Sequence, residues 1–287
     1  MNNYIITSDS TCDLPDDLCS KENIAILPVY YRFGDNLYNG ENNIPLSEFY
    51  NRMRDGEHYS TIAPNIQDTK AFFEDCIKKC NNIIHIAFSS ALSSTYQNAC
   101  IAADEIMSEH PLCKIRVIDS LCASLGEGLL VYKAVSYKNA GHNFEETIEY
   151  IETVKLHIVH NFSVNDLSYL QKGGRISKGT AFLGELINIK PILHVNSDGE
   201  LKMYDKVRGR KKSLLYLIDR FLAEHTAYDN DTIMISHCDC NEDVEFMRKH
   251  IMDNNSQMRI IINQICPTIG SHSGPGTIAI FYIAEKR

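Results

Sequence analysis

Short apolar stretches rich in β-branched residues alternate along the first half of the chain with segments of helical periodicity. The predicted strands are Tyr4–Thr7, Ile24–Tyr30, Ile83–Phe88 and Lys114–Ile118. Apolar residues recur at intervals of three and four positions from Tyr96 to Met107, which predicts an amphipathic helix with Ser93 as its N-cap. Alternating strands and helices of this kind favour a mainly parallel sheet.

The second half of the chain has a different pattern. A helical stretch from about Cys122 to His157, interrupted near Gly141, separates it from the first half. The strands predicted there are Ile158–Val164, Ile192–Val195, Leu201–Tyr204, Thr232–Ser236, Arg259–Ile265 and Ile278–Ala284. The predicted helices are Asp166–Gln171, Lys211–His225 and Glu242–Met252. We therefore predict an α/β protein of two packed lobes with a ligand between them: residues 1–155 with a mainly parallel sheet, and residues 156–287 with a mixed sheet.

Composition excludes several classes of function. A net charge of -9 argues against non-specific nucleic-acid binding, which needs clustered Lys and Arg, and against adhesion to an anionic membrane. No apolar stretch is long enough to span a bilayer, and the first residues lack the pattern of a signal peptide. We therefore expect a cytoplasmic protein without stable membrane insertion, whose ten cysteines stay reduced. The close pair Cys238 and Cys240 has no matching second pair, so no zinc site is expected.

Four polar or glycine-rich segments are predicted at the ends of strands, which is where open α/β sheets bind ligands. They are Ser8–Asp13, Ser89–Thr95, Gln171–Ser177 and Thr268–Gly276. In the first segment, Asp13 is expected to cap the following helix. In the second, Ser93 can cap a helix or bind an anion, and the free backbone amides beside it favour an anion as well.

The other two segments carry an arginine and a histidine. Gly173 and Gly174 indicate a helix stop, from which Arg175 is expected to project at the surface. The string Gly174–Thr180 resembles a phosphate loop, but its lysine precedes the glycine that it should follow, so we reject that interpretation. His272 stands at the centre of its segment, where a hydrolase would have serine; this predicts a loop that brings a histidine to a ligand.

The run Lys206–Lys212 lies before a predicted helix. Cations at a helix N-terminus oppose the helix dipole instead of complementing it, so this run predicts an anion-attracting patch. A solvated basic turn is the alternative.

Six strings, in this order, resemble the DegV family along nearly the whole chain. They are SDSTCDLP at Ser8–Pro15, LSSTYQ at Leu92–Gln97, LQKGGRIS at Leu170–Ser177, IKPIL at Ile189–Leu193, KVRGRKK at Lys206–Lys212 and IGSHSGPG at Ile269–Gly276. The resemblance implies two α/β lobes that enclose a long-chain fatty acid. It also implies a lipid-presenting subunit without an activity of its own, whose bound carboxylate a separate ATP-binding kinase subunit converts to an acyl phosphate for phospholipid synthesis.

The resemblance also implies roles for particular residues. Thr61, Ser93 and His272 match the positions that hold the carboxylate, and Ser94 lies beside them where the family usually has glycine. The segment after Thr61 lacks two hydroxyl residues that are usual in the family. Arg175 and Arg208 match basic positions at the pocket mouth that serve phosphoryl transfer in the kinase complex. No catalytic residue, metal or cofactor is implied besides the bound fatty acid.

Two other functions stay open on the sequence. One is a lipid carrier or sensor without a kinase partner. The other is a stand-alone kinase or acyl hydrolase acting on a small metabolite, which is disfavoured because no nucleotide loop or nucleophile–base pair can be named.

Overall fold

The computed structural model describes residues 4–38, 40, 42–177, 188–225 and 231–287. The strands are β1 (Ile5–Asp9), β2 (Ala25–Leu27), β3 (Tyr30–Phe33), β4 (Asn36–Tyr38), β5 (Ser60–Ile62), β6 (Asn82–Ala87), β7 (Lys114–Asp119), β8 (Ile158–Ser163), β9 (Ile189–Val195), β10 (Leu201–Arg208), β11 (Thr232–His237), β12 (Arg259–Gln264) and β13 (Ile278–Ile283). The α-helices are α1 (Asp16–Glu22), α2 (Leu46–Arg54), α3 (Ile66–Ile77), α4 (Thr95–Glu109), α5 (Leu125–Asn139), α6 (Phe144–Val154), α7 (Ser168–Lys172), α8 (Arg210–Glu224), α9 (Asn241–Asn254) and α10 (Pro267–Ser273). The string Gly174–Thr180, compared above with a phosphate loop, falls partly outside the described residues.

The N-terminal lobe contains a four-stranded parallel sheet in the order β2-β1-β6-β7. This confirms the predicted parallel sheet. The single strand predicted over Ile24–Tyr30 is wrong, because the chain forms β2 and β3 there, in two different sheets. Pro28 lies between them, and a proline lacks the N–H that a continuous inner strand would need.

A small antiparallel sheet, in the order β4-β3-β5, was not predicted. An aromatic cluster holds it against α2: the ring of Phe49 lies 5.5 Å from Tyr31 and 4.6 Å from Tyr59, centroid to centroid. Such aromatic pairs contribute about 0.5–1.5 kcal/mol each beyond the area they bury. The sheet matters for the site because β5 carries Thr61.

The C-terminal lobe contains a six-stranded sheet in the order β10-β9-β8-β13-β11-β12. Its neighbours are antiparallel except for β11 and β12, which are parallel. This confirms the predicted mixed sheet. The hairpin β9–β10 reaches across to the other lobe, where the hydroxyl of Ser89 donates a hydrogen bond of 2.9 Å to the carbonyl of Gly199.

Helix α5 joins the two lobes. It contacts β1 of the first sheet and β8, β11 and β13 of the second. Leu129, Leu130 and Val131 in its N-terminal half are fully buried, because this part of the helix packs against both sheets. One apolar core therefore runs through both lobes, from Ile84 to Phe281. Within the described ranges, no helix is both long and apolar enough to cross a membrane.

Candidate ligand-binding site

A cavity of about 240 Å³ is bounded by residues of both lobes. Its wall is largely apolar and includes Val29, Phe88, Leu92, Phe162, Leu170, Val195, Leu201, Ile265, Ile269 and Phe281. Since about 10–15 Å³ of such space holds one water-sized group, the cavity has room for a chain of on the order of twenty heavy atoms. A long apolar ligand fits an enclosure of this kind.

Five of the six predicted site residues line the cavity, although they come from four separate segments. Thr61 lies on β5, Ser93 and Ser94 immediately precede α4, Arg175 follows α7, and His272 lies in the last turn of α10. The structure thus brings one histidine, one arginine and three hydroxyl groups to a largely apolar cavity.

His272 and Thr61 are in direct contact. His272 Nε2 lies 2.8 Å from Thr61 Oγ1. Burial and, to a lesser extent, the neighbouring Arg175 lower the pKa of His272 to about 4, so its ring is neutral at pH 7. A neutral imidazole has one N–H donor and one acceptor nitrogen, so it can bind a carboxylate without itself carrying a charge.

The loop predicted over Thr268–Gly276 is wrong, because most of it forms helix α10. Pro267 occupies its first turn, where the missing N–H costs nothing. Gly270 lies inside the helix, and a Cβ there would lie 2.4 Å from the hydroxyl oxygen of Tyr50. This glycine therefore allows close packing and does not mark a turn, and His272 is held by a helix.

The sequence predicted Ser93 as the N-cap of α4, and this prediction is wrong. The N-cap is Ser94, whose side chain makes no capping hydrogen bond. The Ser93 hydroxyl accepts a 3.2 Å hydrogen bond from the backbone N–H of Thr95 and lies 2.9 Å from the Thr95 hydroxyl. Because Ser93 also lines the cavity, its hydroxyl both fixes this turn and faces the ligand space.

Arg175 is half-buried, so it reaches the surface as expected but is also bound within the fold. Its Nε and Nη2 donate to the carbonyl of Leu92, at 3.2 and 3.1 Å, and its Nη1 donates to the carbonyl of Gly173. Burial lowers the pKa of Arg175, although an arginine stays charged at neutral pH. The guanidinium ties the turn after α7 to the loop that carries Ser93, and it leaves two of its five N–H groups for other partners.

Arg208 does not line the cavity. It is exposed at the end of β10. The next basic residue, Arg210, is bound within the fold: it donates to Asp243 at 2.9 Å and to the carbonyl of Gly276 at 2.7 Å. At least one charge of the basic run is therefore neutralised internally, which weakens the patch predicted before α8.

A second polar group in the cavity wall was missed by the sequence analysis; it includes Ser124, Ser236 and His160. The Ser124 and Ser236 hydroxyls lie 2.9 Å apart. His160 Nε2 accepts the backbone N–H of Ala123 at 3.2 Å, and its Nδ1 lies 3.0 Å from the carbonyl of Ile158. Burial lowers the pKa of His160 far below its ordinary value, so the ring is neutral. These contacts hold the ring of His160 within the fold.

Asp13 does not cap α1, so that prediction is wrong. The N-cap is Pro15, without a side-chain capping bond. The Asp13 carboxylate instead accepts hydrogen bonds from the Ser124 hydroxyl at 2.5 Å and from the backbone N–H of Cys266 at 2.9 Å. Burial raises the pKa of Asp13 to about 7. Asp13 therefore links α5 to the start of α10 across the two lobes.

Two further acids are buried nearby. The Thr11 hydroxyl contacts the carboxylate of Asp9 and lies 3.1 Å from that of Glu127, which also accepts from Ser8 at 2.9 Å. Burial raises the pKa of both acids, and that of Glu127 strongly. Among the described residues, no group of three or more His, Cys, Asp or Glu side chains is arranged to hold a metal ion.

A second depression, of about 470 Å³, shares Thr61, Arg175 and His272 with the cavity. We call it the outer basin. Its lining includes three exposed side chains, Arg32, His58 and Lys172. The three shared residues therefore lie at the boundary between an apolar cavity and a basic, solvent-exposed basin.

The protein is thus a two-lobed α/β protein with a largely apolar cavity between its lobes, and comparison with known proteins identifies its family. Residues 4–285 match the DegV family, which is described as uncharacterised. A DegV domain-containing protein of Clostridium perfringens is 36% identical over 289 aligned residues, which span 100% of this chain and 99% of the relative. The chain therefore belongs to the DegV family, as its sequence motifs predicted.

Solved structures of the family have the same fold. A DegV family protein from Thermus thermophilus, described by its fatty acid binding, has a TM-score of 0.86 at 27% identity, covering 98% of this chain and 99% of that chain. DegV from Bacillus subtilis, described as a fatty acid binding protein, has a TM-score of 0.86 at 25% identity, covering 99% and 100%. Relatives of this chain thus bind fatty acids.

Proposed function

We propose that this protein binds a long-chain fatty acid in the cavity and presents its carboxylate to a separate ATP-dependent kinase subunit, which forms an acyl phosphate for phospholipid synthesis. The observation that carries the proposal is a largely apolar cavity that has Ser93 in its wall and Thr61 and His272 at its boundary with the outer basin. On this proposal the chain has no nucleotide site of its own, acts in the cytoplasm, and divides into its lobes near residue 155.

The acyl chain supplies most of the affinity. Each buried methylene contributes roughly 0.8 kcal/mol, so even ten methylenes offer roughly 8 kcal/mol before the entropy of binding is subtracted. The phenylalanines and aliphatic residues of the wall provide the matching surface.

The carboxylate needs hydrogen bonds, because a buried charge without partners is costly. Each charge-assisted hydrogen bond contributes about 1.5–3 kcal/mol. In the contact between Thr61 Oγ1 and His272 Nε2 one group donates to the other, so this neutral pair offers the carboxylate one further donor. Ser93 offers a hydroxyl, and Arg175 retains two N–H groups beyond its three bonds to backbone carbonyls. A carboxylate held by Thr61 and His272 would keep one oxygen toward the outer basin, where it could act as the nucleophile.

Lipid analysis followed by a kinase assay tests the proposal in two steps. Mass spectrometry of denatured, freshly purified protein is expected to release a fatty acid in about equimolar amount. The loaded protein is then mixed with the cognate ATP-binding subunit and ATP, and acyl phosphate is trapped as the hydroxamate. Protein without lipid would refute the proposal. Lipid without acyl phosphate would instead leave a carrier or sensor.

A further inference from the structure

The outer basin is basic although the whole chain is acidic. Arg32, His58 and Lys172 line it beside Arg175, and no carboxylate of a described residue is among its lining side chains. The chain as a whole carries a net charge of -9. A basic depression on an acidic surface raises the local concentration of anions and selects where they bind.

The basic side chains converge because of local geometry. Lys172 is the last residue of α7, and Arg175 follows three residues later in the same turn. Arg32 lies on β3 directly opposite Ser60, so it is one strand away from Thr61. The two exposed cations therefore come from separate elements, β3 and α7, that both border the outer basin.

The Lys172 side chain has donors to spare. Its Nζ lies 3.2 Å from His58 Nε2. Because an ammonium has three donors and no acceptor, the lysine donates in this contact and the histidine accepts, which orients the ammonium over the basin. Such a point charge is a common ligand of phosphate groups.

We propose that the outer basin is a phosphoryl-binding site, in which Lys172 and Arg32 bind the non-bridging oxygens of a phosphoryl group placed against the fatty acid carboxylate. The inference rests on the proposed function. In the transfer, a carboxylate oxygen forms a bond to the terminal phosphorus of ATP, the bond from that phosphorus to the bridging oxygen breaks, and its electron pair leaves with ADP. The total charge of -5 is the same on both sides, because RCOO⁻ and ATP⁴⁻ yield acyl phosphate²⁻ and ADP³⁻.

The two cations would act on the transferring group, whose charge spreads over its equatorial oxygens in the transition state. Lys172→Gln and Arg32→Gln are each expected to lower the turnover number for acyl phosphate about tenfold, which corresponds to roughly 1.4 kcal/mol. The deficit should shrink at high salt, because exposed charges are screened. Palmitate occupancy should not change, since neither residue lines the cavity.

The experiment compares these variants with Lys249→Gln, which removes an exposed lysine from α9 away from the basin. One arm measures kcat, and KM for the kinase subunit, with palmitate-loaded protein. The other arm measures the rate at which the isolated protein releases preformed hexadecanoyl phosphate. If kcat falls and hexadecanoyl phosphate is released faster, the basin binds the phosphoryl group of the acyl phosphate product. If kcat falls and the release rate is unchanged, the basin binds the terminal phosphoryl group of ATP.

Other results would overturn the assignment. Unchanged kcat and release in both variants would do so, as would a rise in KM for the kinase subunit alone, which would make the basin a docking surface. Loss of palmitate from the variants would make these cations headgroup ligands. If the wild-type protein forms no acyl phosphate, the proposed function fails and the basin assignment fails with it.

Discussion

Replacing Gly173 with alanine would displace His272 without altering any polar group of the site. A Cβ at Gly173 would lie 2.1 Å from His272 Nδ1, whereas ordinary van der Waals contact begins at 3.4 Å. The ring must therefore retreat by about 1.3 Å, the difference between these two distances. A displacement of that size breaks the 2.8 Å contact between His272 and Thr61.

Backbone and side-chain effects on stability oppose each other in this variant. Gly173 has φ -72° and ψ -12°, which alanine adopts without backbone strain, and this favours folding by about 0.4–1 kcal/mol. Displacing the His272 ring costs about 1–3 kcal/mol. Loss of one charge-assisted hydrogen bond to the ligand costs about 1.5–3 kcal/mol, or roughly 10- to 150-fold in Kd. We expect weaker fatty acid binding from a protein that still folds and is at most moderately less stable than the wild type.

The adjacent glycine supplies the control. Gly174 has φ +72°, and nothing lies within 4 Å of its ideal Cβ. Alanine is strained in this left-handed region by about 1–2 kcal/mol, so Gly174→Ala should lower Tm by several degrees and leave the affinity unchanged. Of the two neighbouring substitutions, only Gly173→Ala is thus expected to weaken fatty acid binding.

Delipidated protein is needed for both measurements, because bound fatty acid stabilises the folded state by mass action. Calorimetric titration with palmitate gives Kd, and urea unfolding gives the free energy of unfolding. Wild-type affinity in Gly173→Ala would refute the argument that His272 binds the headgroup from a fixed position. A loss of affinity confined to Gly174→Ala would point to the turn itself.

Three further predictions concern the headgroup, the partner and the buried acids. Thr61→Val and Ser93→Ala are each expected to weaken palmitate binding measured by calorimetry. If both hydroxyls bind one carboxylate, the loss of binding free energy in the double variant should differ from the sum of the two single losses by about 0.5–3 kcal/mol. Strict additivity, or lower thermal stability with unchanged affinity in Ser93→Ala, would contradict this. Arg208→Ala should retain its lipid but form acyl phosphate more slowly, chiefly at low salt, because this arginine is exposed outside the cavity; normal turnover would leave it a surface charge. Asp13 should contribute a fall in the free energy of unfolding of the delipidated protein as pH rises from about 4 to about 7, because burial raises its pKa from 3.8 to about 7 and the folded state keeps a proton that the unfolded chain releases. His272, whose pKa burial lowers to about 4, contributes a slope of the opposite sign, so the Asp13 contribution is obtained by subtracting the urea-unfolding profile of Asp13→Asn from that of the wild type. A difference profile without that fall would contradict the prediction.

The sequence predicted the parts of the fold in which hydrophobic periodicity extends over enough residues. Helix α4 has 15 residues, and the core strands β6 and β7 have six each, so their patterns are clear. Strands β4 and β5 have three residues each, which is too short for an alternating pattern to be recognised. The small sheet that carries Thr61 is stabilised by aromatic packing between distant segments, and no local sequence pattern predicts such packing.

Family motifs named the residues of the candidate site, and no sequence pattern predicted how these residues are arranged. Family motifs identified Arg175, yet its burial depends on the carbonyl of Leu92, which is 83 positions away along the chain. Asp13 was assigned to a local cap, although its partners Ser124 and Cys266 are brought to it only by the packing of both lobes. Sequence patterns predict hydrogen-bond partners that are close along the chain. For Arg175 and Asp13, tertiary packing provides distant partners instead.

Three glycines show most clearly why the positions of the site's side chains could not be predicted from the sequence. Gly126, Gly173 and Gly270 lie in or at the ends of helices, and none of them has a positive φ. A Cβ on them would lie 2.0 Å from His160, 2.1 Å from His272 and 2.4 Å from Tyr50, respectively. Two of these rings line the cavity, so helices that press on them fix their positions. In a sequence, a glycine is taken to indicate a turn. The ring that leaves no room for a side chain at these positions belongs to a distant segment, so no local pattern indicates it. The precision of the candidate site therefore comes from contacts between helices, and substitutions that fill these spaces should move the rings before they disturb the backbone.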